Sequence, residues 1–454
     1  MSDLGFRLGA TLLKTAISAA VVLMFLAVAS TSAVAASVNA PVRVSTLESG
    51  LKVIVQEDHS TDLVAIDIWV RAGSINETDE TNGMSHFIEH LLFRTTEKRG
   101  PGQIDMEIES LGASAEARTS KDWAHFFTVV ARRYLDKALD ILSDAVSHPK
   151  FRPEDIEHER GVILDEIAER DSDPSEVLRS QVCRAVYTVH PYRLSAEGTR
   201  DSVSKITRQM IVGYYNRLYV PNNTFVILVG DVAPSDGIAA VRKAFADFAK
   251  SAPKSAAVAP DVSIPKEPAR TEQARVVVKR STRLAYLAVA FLAPSVKDRP
   301  DVYVMDLLMS HLGVGYQSWL AAELRDKQKL AVQVSSDFLT QRDPGLAVLT
   351  VVAEPAKVEK AEEAVFAKIA ELRSRPLSDG ELARARRSVE GGYAFDVETF
   401  TGRATTLGFY EAIDSFEFAR SYIENIRKVT SEDVLALAKK YLDPDRAVVV
   451  VVGP

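Results

Sequence analysis

The segment His86-Phe87-Ile88-Glu89-His90 combines two imidazoles and a carboxylate at a spacing that could support metal-dependent hydrolysis. On a helix, positions 86 and 90 lie one turn apart on the same face, so both rings can bind one metal ion. Glu89 stands beside them, where a base can take a proton from a water molecule at that metal. A third, more distant carboxylate would leave the fourth position of a zinc ion open, as catalytic zinc requires.

The alternative is a surface helix with two solvated histidines. Its apolar neighbours Phe87, Ile88, Leu91 and Leu92 argue against this, because they predict a helix that is mostly buried. Buried histidines and a buried glutamate need partners, since unpaired polar groups are costly inside a protein. The order H-x-x-E-H is also the inverted form of a zinc-protease motif. We therefore interpret the segment as half of a zinc site.

A second acidic segment could supply the missing carboxylate. Glu159 and Glu166 lie seven residues apart, and hence on one face of a helix that the sequence predicts to begin near Pro153 and to end before Pro174. Taken alone, this segment is an ordinary charged helix.

Three stretches together resemble the pitrilysin/insulinase family of zinc peptidases, which includes the mitochondrial processing peptidase. They are residues 83–96, the segment from Glu159 to Glu166 with the following Asp171-Ser172-Asp173-Pro174, and His190-Pro191-Tyr192 with Gly198-Thr199. The resemblance implies that His86, His90 and Glu166 bind one zinc ion per chain and that Glu89 is the catalytic base. It also implies that Glu159 orients one of the zinc ligands.

Bulk properties exclude some other classes of protein. A chain of 454 residues predicts two or more domains. Its net charge of −7 gives no support for binding nucleic acid, whose phosphates an acidic surface repels. The single cysteine, Cys183, cannot form a disulfide within the chain and is expected to be a packed, small apolar residue.

The N-terminal segment predicts export. Arg7 and Lys14 precede an uncharged apolar run, 16–29, and Ala33-Val34-Ala35 offers the small residues that signal peptidase recognises. We expect residues 1–35 to be a cleaved signal peptide and the mature chain to be periplasmic or secreted. The alternative is an uncleaved membrane anchor, for which the apolar run is short.

The rest of the sequence contains two copies of one order of helices and strands. A helix, a proline and a closing strand recur, and the final glycines of the two copies, Gly230 and Gly453, are 223 positions apart. We predict an α+β fold of two homologous halves, each a mixed or antiparallel sheet covered by helices, as the family's architecture also implies. The N-terminal catalytic half spans residues 36–250, an Ala/Pro/Ser-rich linker spans 251–272, and the C-terminal half spans 273–454.

The second half lacks the zinc motif. Met309 stands where the offset would place a counterpart of His86, and His311 has no Glu-His partner nearby, so we expect His311 to be structural. The segment Leu312–Leu320 contains a glycine loop. It could bind phosphate, but it lacks the lysine of a nucleotide-binding loop, so nucleotide binding has little support.

Family members that complete their active site within one chain have Arg and Tyr seven residues apart in this half. This chain keeps Arg325 but has Val332 in place of the tyrosine, and valine cannot donate a hydrogen bond. The departure predicts a catalytic subunit whose homologous partner supplies the Arg/Tyr pair. If Arg325 does not contribute to substrate binding, it is an ordinary surface charge.

A further departure is Glu116, where the family commonly has Asn on the edge strand that pairs with substrate. Strand addition suits an extended peptide because it uses the backbone. Glu116 then favours basic residues in the substrate. An equally good interpretation is a solvent-facing charge that deters aggregation at the sheet edge.

The sequence therefore predicts a zinc-dependent endopeptidase that acts on extended or unfolded polypeptides as the catalytic subunit of a dimer. The alternative is a non-catalytic member of the same fold that serves as a binding or assembly subunit. The intact set of His86, Glu89, His90 and Glu166 favours the enzyme.

Overall fold

The computed structural model describes residues 40–248 and 264–454, which build two β-sheets and the helices that cover them. The predicted signal peptide, residues 1–35, and residues 251–263 of the predicted linker lie outside the described residues. The strands are β1 (Val42–Thr46), β2 (Lys52–Glu57), β3 (Leu63–Val70), β4 (Ala115–Thr119), β5 (Ala124–Ala131), β6 (Thr224–Gly230), β7 (Ala274–Lys279), β8 (Ala285–Ala293), β9 (Gln333–Leu339), β10 (Gly345–Ala353) and β11 (Val448–Gly453).

Helices surround these strands in both halves. In chain order they are α1 (Met84–Leu92), α2 (Gln103–Ser110), α3 (Leu135–Ser147), α4 (Pro153–Ser172), α5 (Pro174–Val186), α6 (Arg200–Lys205), α7 (Arg208–Leu218), α8 (Pro234–Ala244), α9 (Arg299–Gly313), α10 (Val358–Leu372), α11 (Asp379–Asp396), α12 (Phe400–Ile413), α13 (Glu417–Lys428) and α14 (Ser431–Tyr441). A π-helical segment, Leu320–Lys327, follows the glycine loop. Within the described residues, no helix is long and apolar enough to cross a membrane.

The two sheets share one topology. The first has the strand order β1-β2-β6-β3-β5-β4, and the second has the order β7-β11-β8-β10-β9. Without β1, the orders match strand for strand. In each sheet the first of the common strands runs parallel to the closing strand, with Val53 opposite Val226 and Val276 opposite Val450. The predicted α+β fold of two homologous halves is confirmed; the predicted domain boundaries stay predictions.

One helix from each half packs against the β-sheet of the other half. Helix α5, from the first half, packs its Val177, Leu178 and Val182 against Ala290 and Val450 of the second sheet. Conversely, α12 from the second half covers the face of the first sheet that carries Trp69 and Phe225. Strand residues alternate between two faces, so each sheet has one face for its own helices and one for the exchanged helix. Cys183 is buried in the first of these contacts, as expected.

A buried carboxylate secures the second contact. Glu411 on α12 is 2% exposed and accepts Lys52 at 2.6 Å and Arg71 at 2.8 Å, both from the first half. Removing one partner of a buried ion pair is strongly destabilising, because it leaves the other charge without compensation. The exchanged helix is therefore held by a specific polar contact as well as by apolar packing.

Candidate metal centre

Glycine is the N-cap residue of α1, the helix that carries both histidines. Gly83 precedes the helix with φ +94°, and a Cβ there would lie 2.8 Å from the carbonyl oxygen of Glu197, so both conformation and space require glycine. The carboxylate of Glu77 accepts the backbone N–H groups of Gly83 and Ser85, each at 2.8 Å. These bonds satisfy helix N–H groups that would otherwise lack acceptors and fix the start of α1.

Sequence reasoning missed Glu77. Burial raises the pKa of this carboxyl, and the hydrogen bonds from Ser85, Asn82 and Gly83 oppose that shift. Because Glu77 lies outside α1 and bonds to backbone groups, no spacing rule in the sequence identified it.

Three donor atoms from α1 and α4 converge on one point. His86 Nε2 and His90 Nε2 are 3.3 Å apart, and Glu166 Oε2 lies 3.8 Å from the first and 3.6 Å from the second. Zinc–ligand distances of about 2.0–2.1 Å place neighbouring ligand atoms of a tetrahedral site roughly 3.3 Å apart. The three side chains are thus spaced as ligands of a single zinc ion.

Glu159 sets the orientation of one of these rings. Its Oε2 accepts a hydrogen bond from His90 Nδ1 at 2.9 Å, and its Oε1 lies 3.0 Å from Arg94 Nε. Because a carboxylate only accepts, Nδ1 carries the proton and the lone pair of His90 is on Nε2, which faces the donor group. Glu159 itself is buried, with 5% of its surface exposed.

The electrostatics of the site favour metal binding over protonation of His86. Burial, together with the neighbouring charge of His90, lowers the pKa of His86 to about 4. Burial also disfavours the charged form of His90, but the hydrogen bond that His90 donates to Glu159 and the charges of Glu166 and Glu89 outweigh it and raise the pKa of His90. Neutral His86 therefore has a free lone pair for a metal at neutral pH.

The catalytic-base candidate, Glu89, lies on the same helix between the two histidines. Burial raises the pKa of its carboxyl, and the nearby Thr119 hydroxyl opposes that shift. Its Oε2 is buried and has no hydrogen-bond partner among the described residues. A buried carboxylate oxygen without a partner next to three converging donors fits a site that holds zinc and a water molecule, so the residues present suit that ion.

The other site residues predicted from the sequence do not contact the three candidate metal ligands. Glu116 lies on β4, the edge strand of the first sheet, with its side chain 53% exposed and 3.7 Å from Arg118. Arg325 pairs with Asp326 at 2.8 Å, and its guanidinium stands 5.1 Å from the ring centre of Tyr316. Val332 is 57% exposed.

The His190-Pro191-Tyr192 stretch, which contributed to the resemblance, joins the two halves. The Tyr192 hydroxyl donates to Asp122 at 2.6 Å and accepts the backbone N–H of Asp343 at 3.2 Å. His190 Nε2 lies 3.6 Å from the Asp343 carboxylate. The contact fastens the loop between β9 and β10 to the first half.

Comparisons with known proteins agree with this fold. The profile described as "Insulinase (Peptidase family M16)" matches residues 52–200, and the profile described as "Peptidase M16 inactive domain" matches residues 205–389. The chain belongs to the insulinase family of peptidases, as the sequence predicted.

Relatives with assigned names are similar over most of their length. The zinc protease PqqE of Helicobacter pylori is 26% identical over 413 residues, which are 90% of this chain and 92% of that protein. A probable mitochondrial-processing peptidase subunit beta of Arabidopsis thaliana is 27% identical over 427 residues, 91% of this chain and 78% of that protein.

A crystal structure of a protease from Helicobacter pylori has the same fold, with a TM-score of 0.87 and 24% identity over 91% of this chain and 100% of that one. A peptidase M16 inactive domain from Pseudomonas fluorescens matches with a TM-score of 0.81 and 22% identity, over 91% of this chain and 98% of that one.

Proposed function

We propose that this chain is a zinc-dependent endopeptidase that hydrolyses peptide bonds in extended or unfolded polypeptides. One observation carries the proposal: donor atoms of His86, His90 and Glu166 all lie within 4.8 Å of one another, and Glu89 stands beside them on α1. Membership of a peptidase family and the zinc-protease names of relatives support it.

In this proposal the chain's own groups hold the ligands and move the proton. The contribution of zinc, when bound, is to polarise the scissile carbonyl and to acidify the attacking water. Glu89 takes the proton of that water and returns it to the leaving amine. Burial raises the pKa of Glu89, which makes its carboxylate a better base than an exposed glutamate. Glu159 keeps the ring of His90 in place throughout.

The polypeptide substrate would be bound by strand addition at β4. This strand pairs with β5 on one side and ends the sheet on the other, so its outer backbone groups can pair with an extended peptide. Glu116, exposed on this edge, then lies where a side chain of the substrate passes. A preference for basic residues next to the scissile bond follows from its charge.

The decisive test is Glu89→Gln, which keeps the size of the side chain but removes its basicity. We expect the variant to retain about one zinc per chain, measured by mass spectrometry, and to lose at least about 100-fold in the cleavage rate of an unfolded protein. Undiminished turnover would refute the role of Glu89. A natural chain that holds no zinc after purification with added metal would instead favour a non-catalytic scaffold.

We further propose that the chain works as the catalytic subunit of a dimer. The side chain of Val332 offers no hydrogen bond, and Arg325 is engaged by Asp326, so the pair found in self-sufficient family members is incomplete. A homologous subunit would supply Arg and Tyr. Purified alone, the chain is expected to show little activity, which the partner identified by native pull-down restores. Full turnover by a monomer would contradict the dimer.

The proposed location is the periplasm or the exterior of the cell. The apolar run at 16–29, followed by Ala33-Val34-Ala35, supports a cleaved signal peptide, with an uncleaved anchor as the alternative. N-terminal sequencing of the exported protein tests this, because cleavage places residue 36 first.

A further inference from the structure

The second half encloses a small cavity of about 230 Å³ at the glycine loop, which we define as residues 314–318. Helix α9, the loop and helix α11 form its walls. The lining includes the hydroxyl side chains of Ser310, Ser318 and Ser388. We call this cavity the Arg384 pocket, after the cationic residue in its wall.

His311 is the most unusual residue in the lining. It is 5% exposed, and neither Nδ1 nor Nε2 has a hydrogen-bond partner among the described residues. Burial, reinforced by the charge of Lys368, lowers the pKa of His311 to about 4, so the ring is neutral and offers one donor and one acceptor. Burying a polar ring with both nitrogens unpaired costs free energy, and packing alone does not offset that cost. A polar ligand that pairs with these nitrogens would offset it.

The charges around the pocket leave one cation without compensation. Lys368 pairs with Glu371 at 3.4 Å, and Glu381 with Arg375 at 3.5 Å. Arg384 lines the pocket and is exposed, and among the described residues no ion pair neutralises it. The pocket thus presents a single net positive charge.

The glycine loop adds donors at the mouth of the pocket. The backbone N–H groups of Gly315, Tyr316 and Gln317 donate to no acceptor within the part of the chain that the structure describes. Gly315 has φ +83°, a conformation that allows consecutive N–H groups to point towards one side. Successive unpaired N–H groups of this kind form concave sites for anions.

We propose that the Arg384 pocket binds a carboxylate of a peptide ligand. Arg384 supplies the charge, while neutral His311 and the loop N–H groups supply hydrogen bonds. One net cation suits a singly charged carboxylate better than a dianionic phosphate, whose second charge would lack compensation. The proposal rests on the proposed peptidase function only in its choice of a peptide as the ligand.

The position of the pocket explains how a peptide could reach it. Ser310, Val314 and Ser388 also line a larger cavity of about 520 Å³ between the halves, and Trp123 of the first half lines its other side. Trp123 lies in the turn between β4 and β5, next to the edge strand. A peptide that leaves β4 can therefore cross the larger cavity and end in the pocket, where a C-terminal carboxylate would be bound.

The test measures binding to Glu89→Gln protein by calorimetry, so that no peptide is cleaved. Three versions of one unstructured Ala/Gly/Leu peptide are compared: a free C-terminal acid, its C-terminal amide, and the amide with glutamate as its last residue. We expect the acid to bind about tenfold more tightly than the plain amide, as a lost charged hydrogen bond implies. The glutamate amide shows whether a side-chain carboxylate is accepted equally.

Arg384→Gln should abolish the advantage of the carboxylate peptides. Arg387→Gln, an exposed arginine on the same helix outside the pocket lining, is the matched control and should preserve it. Equal affinity for the acid and both amides, or equal losses from the two substitutions, would overturn the proposal. Absence of turnover by the natural chain together with its partner subunit would contradict the peptidase function and would leave these affinities unchanged, so the two failures are distinguishable.

Discussion

At the scale of single residues, the candidate metal centre depends on groups that the metal does not touch. Glu159 holds the Nδ1 proton of His90, and Glu77 holds the backbone at the start of α1. The ligand candidates followed from spacing, because an (i, i+4) pair on a helix has one geometry. Their convergence with Glu166 needed the fold, since no local rule places α4 beside α1. The metal itself stays a prediction.

Glu159→Gln tests the support of His90. Glutamine keeps the size of the side chain but carries no charge, so the ring of His90 loses the partner that fixes its proton on Nδ1. We expect zinc affinity to fall roughly 10–100-fold, measured by competition with a chelator. Glu157→Gln, exposed on the same helix, is the control and should leave affinity unchanged. Equal affinities of the two variants would show that Glu159 has no such role.

Asp306 gives a pH dependence with a defined sign. It lines the larger cavity and accepts the Tyr422 hydroxyl at 2.8 Å. Burial raises its pKa from 3.8 to about 7. Between these values the folded chain keeps a proton that the unfolded chain releases, so this carboxyl lowers the free energy of unfolding as pH rises through the window.

Asp306→Asn removes that titration while it keeps an acceptor for Tyr422. We expect the excess of the variant's free energy of unfolding over that of the natural chain to grow by about 2–3 kcal/mol between about pH 5 and about pH 7.5, measured by urea denaturation. Asp337→Asn, an exposed residue in the same cavity wall, should show no such gain. A constant difference at both pH values would contradict the raised pKa.

At the scale of elements, local pattern predicted which segments are helices but not where they pack. The periodicity of Val358–Leu372 gave α10 with its observed bounds. Helical periodicity in the sequence extends over 206–218, but α7 begins at Arg208, because Thr207 caps it by accepting the N–H of Met210. Helix α12 covers the sheet of the other half, and no repeat or periodicity in the sequence indicated that exchange.

Gly408 makes this exchange possible. A Cβ at position 408 would lie 2.2 Å from Trp69 Cε2, so α12 approaches the first sheet as closely as only glycine allows. We expect Gly408→Ala to lower the free energy of unfolding by about 1–3 kcal/mol through overpacking against a fully buried ring. Gly391→Ala, in α11 with nothing within 4 Å of its added Cβ, should be neutral or stabilise by up to about 1 kcal/mol. Similar effects of both substitutions in urea denaturation would contradict the close contact.

At the scale of the whole molecule, duplication and exchange have opposite consequences. Duplication gives each half a complete sheet, which suggests two independent domains. Exchange removes that independence, because Trp69 and Phe225 of the first half are covered by α12, and Val450 of the second is covered by α5. Separated halves would each expose a large apolar face, which favours aggregation. The duplication could be predicted from the sequence, whereas the interdependence could not.

Expression of the chain in two pieces, 36–250 and 264–454, tests this interdependence. Each piece alone is expected to be poorly soluble and to bind a hydrophobic dye, because the face that its partner helix covers is open to water. Produced together, the pieces should copurify and unfold in one cooperative transition, since α5 and α12 can still pack across the interface without a covalent linker. Glu411→Ala in the second piece should weaken the pairing, because it leaves Lys52 and Arg71 without their buried carboxylate. A first piece that melts cooperatively by itself and ignores the second would contradict the exchange as a determinant of stability.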